Sequence, residues 1–299
     1  MNQDWGLVLS GGGAKGAYQM GVWKAMKELQ IENWIGGIAG ASIGALNSVL
    51  FASNNYEKGN EAWDEVNLLS VFDTEWALLD GKIGTFSRDE MLALAHKYGE
   101  LSKVTQSHRP IYCSISKVLP DGSYQGEYQR MDGKTQYVIE QLLMASSALP
   151  ILHEPVEFQG NLYQDGGLTD NCPIRPLYDH GFRKIIIIGL KADMKRFEAE
   201  FPDVEFISVY PSHDLGDLVH GTLNFKPRFI QFCKKLGYKD GLRIFRAYQN
   251  GDLNNAVKMQ ELAQLDYQEI AVEMKQTELQ DRVDDHMGKL HSIMDKYGI

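Results

Sequence analysis

Cysteine is scarce: the 299 residues hold three, Cys113, Cys172 and Cys233, far apart in the chain. Three dispersed thiols make neither a disulfide framework nor a paired metal-ligand pattern, and they suit a reducing compartment. No His or Cys cluster offers a metal site, so neither a metal nor another cofactor is expected. Positive charge is also short, with Lys plus Arg at 30 against Asp plus Glu at 40, a formal charge of −10. That balance argues against a nucleic-acid partner. The first residues, Met1-Asn2-Gln3-Asp4-Trp5, lack the basic start and apolar run of a signal peptide, so the expected location is cytoplasmic. Solenoid repeats and low-complexity tracts are missing too. What remains, 43% hydrophobic and 23% charged, is globular composition at the length of one large domain or two small ones.

Residues 33–56 form a 24-residue stretch without a charge, and Gly36, Gly40 and Gly44 fall at the four-residue spacing of a membrane-helix dimer face. A membrane span competes here with a strand, turn and helix. Against the span stand Asn33, Ser42, Asn47, Ser48, Ser53, Asn54 and Asn55, and flanking charges that are both acidic, Glu32 and Glu57.

The local pattern favours alternating strands and helices. A short apolar run at 6–9 leads into a glycine loop and a helical pattern over 17–29, and the same unit recurs with a strand at 37–39 and a helix through about residue 51. Further buried strands are expected at 111–116, 184–189 and 204–210, with helical patterns around 57–70, 87–98 and 133–147. This is an α/β fold: a mainly parallel central sheet flanked by helices. The tail carries a spaced set of Leu, Val, Ile and Met and reads as one or two polar helices, an added C-terminal helical layer. The division expected is a catalytic-size domain over 1–250 and an extension over 251–299.

Three motifs can carry chemistry. Gly11-Gly12-Gly13-Ala14-Lys15-Gly16 sits between a strand and a helix, where backbone amides approach an anion. It also fits the dinucleotide fingerprint, but the second strand ends in a serine turn rather than the acid a ribose needs. Gly40-Ala41-Ser42-Ile43-Gly44 has the Gly-x-Ser-x-Gly form of a nucleophile turn, whose sharp backbone needs small neighbours. Asp165-Gly166-Gly167 ends an alternating stretch; alone it reads as a turn, and beside a serine it offers a fixed carboxylate.

In that order the three motifs resemble the patatin-like phospholipase family, with support from Ala145-Ser146-Ser147-Ala148-Leu149-Pro150 and Asn171-Cys172-Pro173. The resemblance covers about residues 5–190. It implies a patatin-like fold and a Ser-Asp dyad: Ser42 as nucleophile, Asp165 as base, the Gly11, Gly12 and Gly13 amides as oxyanion hole, and Lys15 as a supporting cation. Gly16, Gly40, Gly44, Gly166 and Gly167 complete the motifs. The substrate implied is a phospholipid, lysophospholipid or acylglycerol, cleaved through an acyl-enzyme.

Physical chemistry alone favours a histidine, because a carboxyl titrating near 3.9 is a poor base for a serine hydroxyl. His180, His213, His220, His286 and His291 follow the serine and the acid in the chain, and none sits in a recognisable catalytic setting. Two other functions share the motifs: an acyltransferase with the same acyl-serine, and a non-catalytic nucleotide- or lipid-binding module using the glycine loop. Residues 225–246 hold seven bases and one acid, with Phe225, Phe229, Phe232 and Leu236 at helical spacing. That segment offers either peripheral membrane contact or a solvated outer face over a packed stripe.

Overall fold

The computed structural model describes residues 3–69, 93, 95–150, 152–192, 197–253 and 255–297. It divides into two compact units, Met1–Asn254 and Asn255–Ile299. In the first, β1 (Trp5–Leu9), β2 (Ile35–Ala41), β3 (Ile111–Val118), β4 (Tyr124–Arg130), β5 (Val156–Phe158), β6 (Asn161–Asp165), β7 (Lys184–Ile188) and β8 (Glu205–Val209) build one sheet. Its order is β5-β6-β3-β2-β1-β7-β8, with β4 paired to β3. The pairings among β3, β2, β1, β7 and β8 are parallel, and β4, β5 and β6 join antiparallel. The sheet is therefore mixed: its parallel strands run from β3 to the β8 edge, and apolar runs such as Ile185 to Ile188 are fully buried.

Side chains alternate across the sheet. Val8, Ala39, Ile185 and Ile187 share one face with Leu177 of a short helix, α6 (Arg175–His180). On the other face α2 (Ile43–Ala52) packs against β1, β2 and β3. The remaining helices of this unit used below are α1 (Ala17–Glu28), α3 (Tyr56–Leu69), α4 (Leu101–Thr105), α5 (Gln136–Ser146) and α7 (Pro227–Gln249). The second unit is one helix, α8 (Ala256–Tyr297). The helix expected around 87–98 lies largely outside the described residues.

Residues 33–56 are not one helix. They divide into β2, a turn at Ser42, the ten-residue α2 and the start of α3. Among the described residues no helix is long and apolar enough to cross a membrane. The glycine spacing has other causes: a Cβ on Gly36 would stand 1.9 Å from the Gln3 carbonyl oxygen, and Gly40 and Gly44 serve the turn itself.

α7 packs along α1 at close range. A Cβ on Gly237 would lie 2.1 Å from the Tyr18 carbonyl oxygen, and one on Gly21 would lie 2.0 Å from that of Lys234. The buried face of α7 is Ile230, Cys233, Leu236, Gly237, Gly241 and Phe245. Phe229 and Phe232 are only half-buried, so the stripe expected from the sequence is rotated. Small residues fix the rotation, because backbones approach only where Cβ atoms are missing. Asp240 is fully buried on this helix and accepts from Tyr18 Oη (2.9 Å), the Ser212 amide (2.9 Å) and the Arg243 guanidinium.

Candidate active site

Ser42 occupies the residue between β2 and α2 with φ 53° and ψ −126°. An L-residue held there costs on the order of 1–3 kcal/mol, which the surroundings must offset. The Ser42 amide donates to Ser146 Oγ at 3.0 Å, and the Ser146 hydroxyl donates to the Ser114 carbonyl of β3 at 2.7 Å. Sterics account for the flanking glycines: a Cβ on Gly40 would meet the Gly44 carbonyl oxygen at 2.3 Å, and one on Gly44 the Leu9 carbonyl oxygen at 2.1 Å. The start of α2 also directs the positive end of its dipole toward Ser42.

Asp165 ends β6 and meets the serine. Its Oδ2 accepts the Ser42 hydroxyl at 2.6 Å, its Oδ1 accepts the Gly167 amide at 2.8 Å, and its own amide donates to the Ala148 carbonyl at 2.9 Å. Ser42 is 8% exposed and Asp165 3%. Burial pushes the Asp165 carboxyl up to about 6, against the opposing effect of its hydrogen bonds from Ser42 and Gly167. A carboxylate in this setting is a far better proton acceptor than the free side chain.

The glycine loop lies against the serine. A Cβ on Gly11 would approach Ser42 Cβ to 2.9 Å and Asn171 Oδ1 to 2.4 Å. Gly13 has φ +57°, and a Cβ there would meet the Thr222 carbonyl oxygen at 2.2 Å. The Gly11 amide donates to the Asn171 carbonyl at 3.3 Å. Of the three amides expected to hold an oxyanion, that of Gly11 thus already has a backbone partner. Lys15 follows in the same loop. It is buried, its ammonium donates to the Gly216 carbonyl, and burial lowers its pKa. It ties the segment that carries the short π-helical turn Leu218–Thr222 onto the glycine loop. Gly16 completes this loop, and its carbonyl accepts from Asn47 Nδ2 at 3.1 Å.

Beside Ser42 opens a cavity of about 970 Å³, measured with its mouth. Its wall is chiefly apolar, drawn from α2 (Ile43, Leu46, Val49, Leu50), Trp63 of α3, Leu143 of α5, and Leu149, Leu223 and Phe225. Gly13 and Thr222 reach the same wall, so the glycine loop, the serine and the apolar cavity share one space. The apolar character of the wall suits an aliphatic chain, each buried CH₂ of which contributes roughly 0.8 kcal/mol.

Of the five candidate histidines, His180 and His220 have partners of their own. His180 ends α6, with Nδ1 at 3.1 Å from Tyr112 Oη and its ring stacked on Phe182. His220 pairs with Asp217, and burial lowers the pKa of His213. His286 lies on α8 in the second unit, and the side chain of His291 is outside the described residues. Among the described residues the one ionisable side chain lining the cavity is His153, which precedes Asp165 and so escapes a search by Ser, Asp, His order.

Further residues surround the site: Ser146 and Asn171 belong to the two supporting motifs, and Gln19 and Asn47 to none. Ser146 braces the strained serine, as described above. Asn171 bridges two motifs: its carbonyl accepts from Gly11, its Nδ2 donates to the Gly11 carbonyl at 3.2 Å, and Gly167 is glycine because a Cβ would stand 2.6 Å from Asn171 Oδ1. Gly166 yields to the Ser114 carbonyl oxygen, 2.0 Å from where its Cβ would be. Gln19 and Asn47, both buried, link the Ser10 and Gly16 carbonyls to Trp63 Nε1 and so anchor both ends of the glycine loop. Of the seven bases in 225–246, Lys234 pairs with Asp64, Arg243 with Asp240 and Arg246 with Glu28.

A family profile described as patatin-like phospholipase matches residues 7–178. The chain is 27% identical over 241 residues to the lysophospholipase NTE1 of Cryptococcus neoformans var. neoformans, covering 78% of this chain and 13% of that protein. It is 25% identical over 186 residues to the mouse patatin-like phospholipase domain-containing protein 6, covering 62% of this chain and 13% of the mouse protein. The chain thus spans about an eighth of the length of these curated relatives. Among solved structures, VipD from Legionella pneumophila aligns with a TM-score of 0.46 and 13% identity over 82% of this chain and 67% of VipD.

Proposed function

Because the chain belongs to the patatin-like phospholipase family, we propose that it is a lipid acyl hydrolase working through an acyl-serine on Ser42. The observation that carries this reading is the 2.6 Å hydrogen bond from Ser42 Oγ to Asp165 Oδ2 at the wall of an apolar cavity. An ester enters with its acyl chain in the cavity and its carbonyl oxygen toward the Gly12 and Gly13 amides. Ser42 Oγ attacks the carbonyl carbon while its proton passes to Asp165. The tetrahedral intermediate collapses, the C–O bond to the alcohol breaks, and Asp165 returns the proton to the leaving oxygen. Water then repeats the sequence on the acyl-enzyme and releases a fatty acid. The Gly12 and Gly13 donors act on charge that appears only in the transition state; losing one such donor typically costs about 10² to 10³ in rate.

The substrate class is a phospholipid, lysophospholipid or acylglycerol, as the names of the relatives and the apolar wall support. Contact with a lipid surface is assigned to the start of the basic segment. There Lys226 and Arg228 are exposed next to Phe225 of the cavity wall, and Leu218 and Val219 are about half exposed on the neighbouring turn.

A panel of lysophospholipid, diacyl phospholipid and short p-nitrophenyl esters, with a fluorophosphonate probe and candidate acyl acceptors, tests the reading. Hydrolysis and probe labelling that both vanish in Ser42→Ala are expected. A silent serine in folded protein would favour a binding module, and transfer products outweighing free acid would favour an acyltransferase. The six histidines His153, His180, His213, His220, His286 and His291 are each changed to Asn; one variant as inactive as Ser42→Ala would establish a triad.

A further inference from the structure

A run of three glycines has little stiffness of its own, yet amides that hold an oxyanion act only if they are fixed before the charge appears. Gly11, Gly12 and Gly13 therefore need holds from outside the loop. Two carbonyls bracket it, those of Ser10 and Gly16, and buried carboxamides take both. Gln19 Nε2, in the first turn of α1, donates to the Ser10 carbonyl at 2.8 Å. Asn47 Nδ2 donates to the Gly16 carbonyl at 3.1 Å and to Gln19 Oε1 at 2.7 Å. Asn47 belongs to α2, which follows directly on Ser42, so one side chain ties both holds to the helix that begins at the nucleophile.

This network admits one orientation. Asn47 Oδ1 accepts from Trp63 Nε1 at 3.0 Å, and an indole N–H can only donate. Turning the Asn47 amide over would set that N–H against an NH₂ group, and Oδ1 against the Gly16 carbonyl and Gln19 Oε1. Turning Gln19 over would set its Oε1 against the Ser10 carbonyl. Position 47 therefore needs donors on one arm and an acceptor on the other, which aspartate, of the same shape, does not supply. Glycine at 16 brings the loop within reach, because a Cβ there would lie 2.6 Å from Ile43 Cγ1 and 2.9 Å from Trp63 Cζ2.

We infer that Asn47 is a positioning residue: it holds the glycine loop in register with Ser42, so that the loop amides meet the carbonyl oxygen as the serine attacks. The inference rests on the acyl-serine reading and adds the group that sets one half of the site against the other. Through Trp63 the same carboxamide also fixes part of the cavity wall, joining nucleophile, loop and acyl site.

Steady-state kinetics of the full chain on a soluble ester, with inhibition by a trifluoromethyl ketone of matched chain length, test this. The adduct of the ketone with Ser42 carries an oxyanion, whereas an alcohol of the same length binds without one. Asn47→Asp should lower kcat about 100-fold with KM within about threefold, and should weaken inhibition by the ketone by a similar factor while the alcohol binds as before. Gln19→Met, which releases the Ser10 carbonyl and leaves Asn47 on Gly16, should show the same pattern at about tenfold and decides the matter if Asn47→Asp does not fold. Ser48→Ala serves as the control: this buried hydroxyl donates to the Ala45 carbonyl within its own helix at 2.6 Å, and its loss should leave the kinetics unchanged. A kcat within about threefold of the parent in both the Asn47 and Gln19 variants overturns the inference. Equal losses of ketone and alcohol binding, the mark of a collapsed cavity, overturn it as well. A parent that hydrolyses no ester and takes no fluorophosphonate label overturns the acyl-serine reading and the inference with it, whereas an active parent with indifferent variants overturns the inference alone.

Discussion

Ser42 Oγ and Asp165 Oδ2 lie 2.6 Å apart although 123 residues separate them in the chain. One strand brings them together. β4 pairs with β3 from Tyr112 to Val118, so β2 and β6 must share the opposite edge of β3. β2 runs parallel to β3 and ends with Ala41 against Ser114; β6 runs antiparallel and ends with Asp165 against Ile115. Two strands therefore arrive end to end on consecutive residues of a third. The serine that follows one end meets the carboxylate that terminates the other.

Asp165 must be ionised to accept a proton, and burial holds its pKa at about 6. The profile of kcat/KM against pH should therefore rise through an inflection near 6 and level off above it. Steady-state rates on a soluble ester from pH 4.5 to 8.5 would show this. A midpoint near 4 would mean that Asp165 is not raised by burial, and one that moves in a histidine variant would assign the base elsewhere.

Asp165→Asn should abolish turnover and yet stabilise the fold at neutral pH. The folded-state pKa lies above the unfolded one, so the folded protein binds more protons and loses stability as pH rises from about 4 through 6. Removing the buried charge should gain on the order of 1–3 kcal/mol at pH 7.5, with the gain shrinking toward pH 4. Urea unfolding of both proteins at the two pH values would measure it. A variant less stable at pH 7.5 than the parent would show that the Ser42 and Gly167 hydrogen bonds outweigh the burial of charge.

Ser146→Ala leaves the Ser42 amide and the Ser114 carbonyl without their shared partner. A buried group deprived in this way costs about 1–3 kcal/mol, and the strained turn has less to hold it. The expected result is a fall in kcat of about 10- to 100-fold with KM little changed, since the cavity is untouched. Kinetics within a factor of two of the parent would remove Ser146 from the support of the turn.

Lys226→Glu with Arg228→Glu should weaken co-sedimentation with anionic vesicles, each base near such a surface contributing about 1 kcal/mol. Lys234→Glu provides the contrast. Lys234 is already paired with Asp64, and burial lowers its pKa, so its loss should act on stability rather than on vesicle binding. Equal vesicle binding by the parent and the double variant would remove the docking assignment.

The order of glycine loop, serine turn and Asp-Gly-Gly was legible in the sequence because each is local. Close backbone approach excludes Cβ, and glycine at Gly40, Gly44, Gly13 and Gly166 records that directly. The fully buried parallel strands were equally plain as apolar runs. β4, in contrast, is polar and exposed on an edge and left no apolar pattern to read. The rotation of α7 depended on which backbone its glycines would meet. The basicity of Asp165 depended on burial, which no neighbouring residue reports. The Gly216 carbonyl that Lys15 meets lies 201 residues further along the chain, beyond any local pattern. The sequence by itself determined which residues could do the chemistry. Tertiary structure decided which of them meet, in what dielectric, and which loop amides already have backbone partners, because contacts between distant segments set all three.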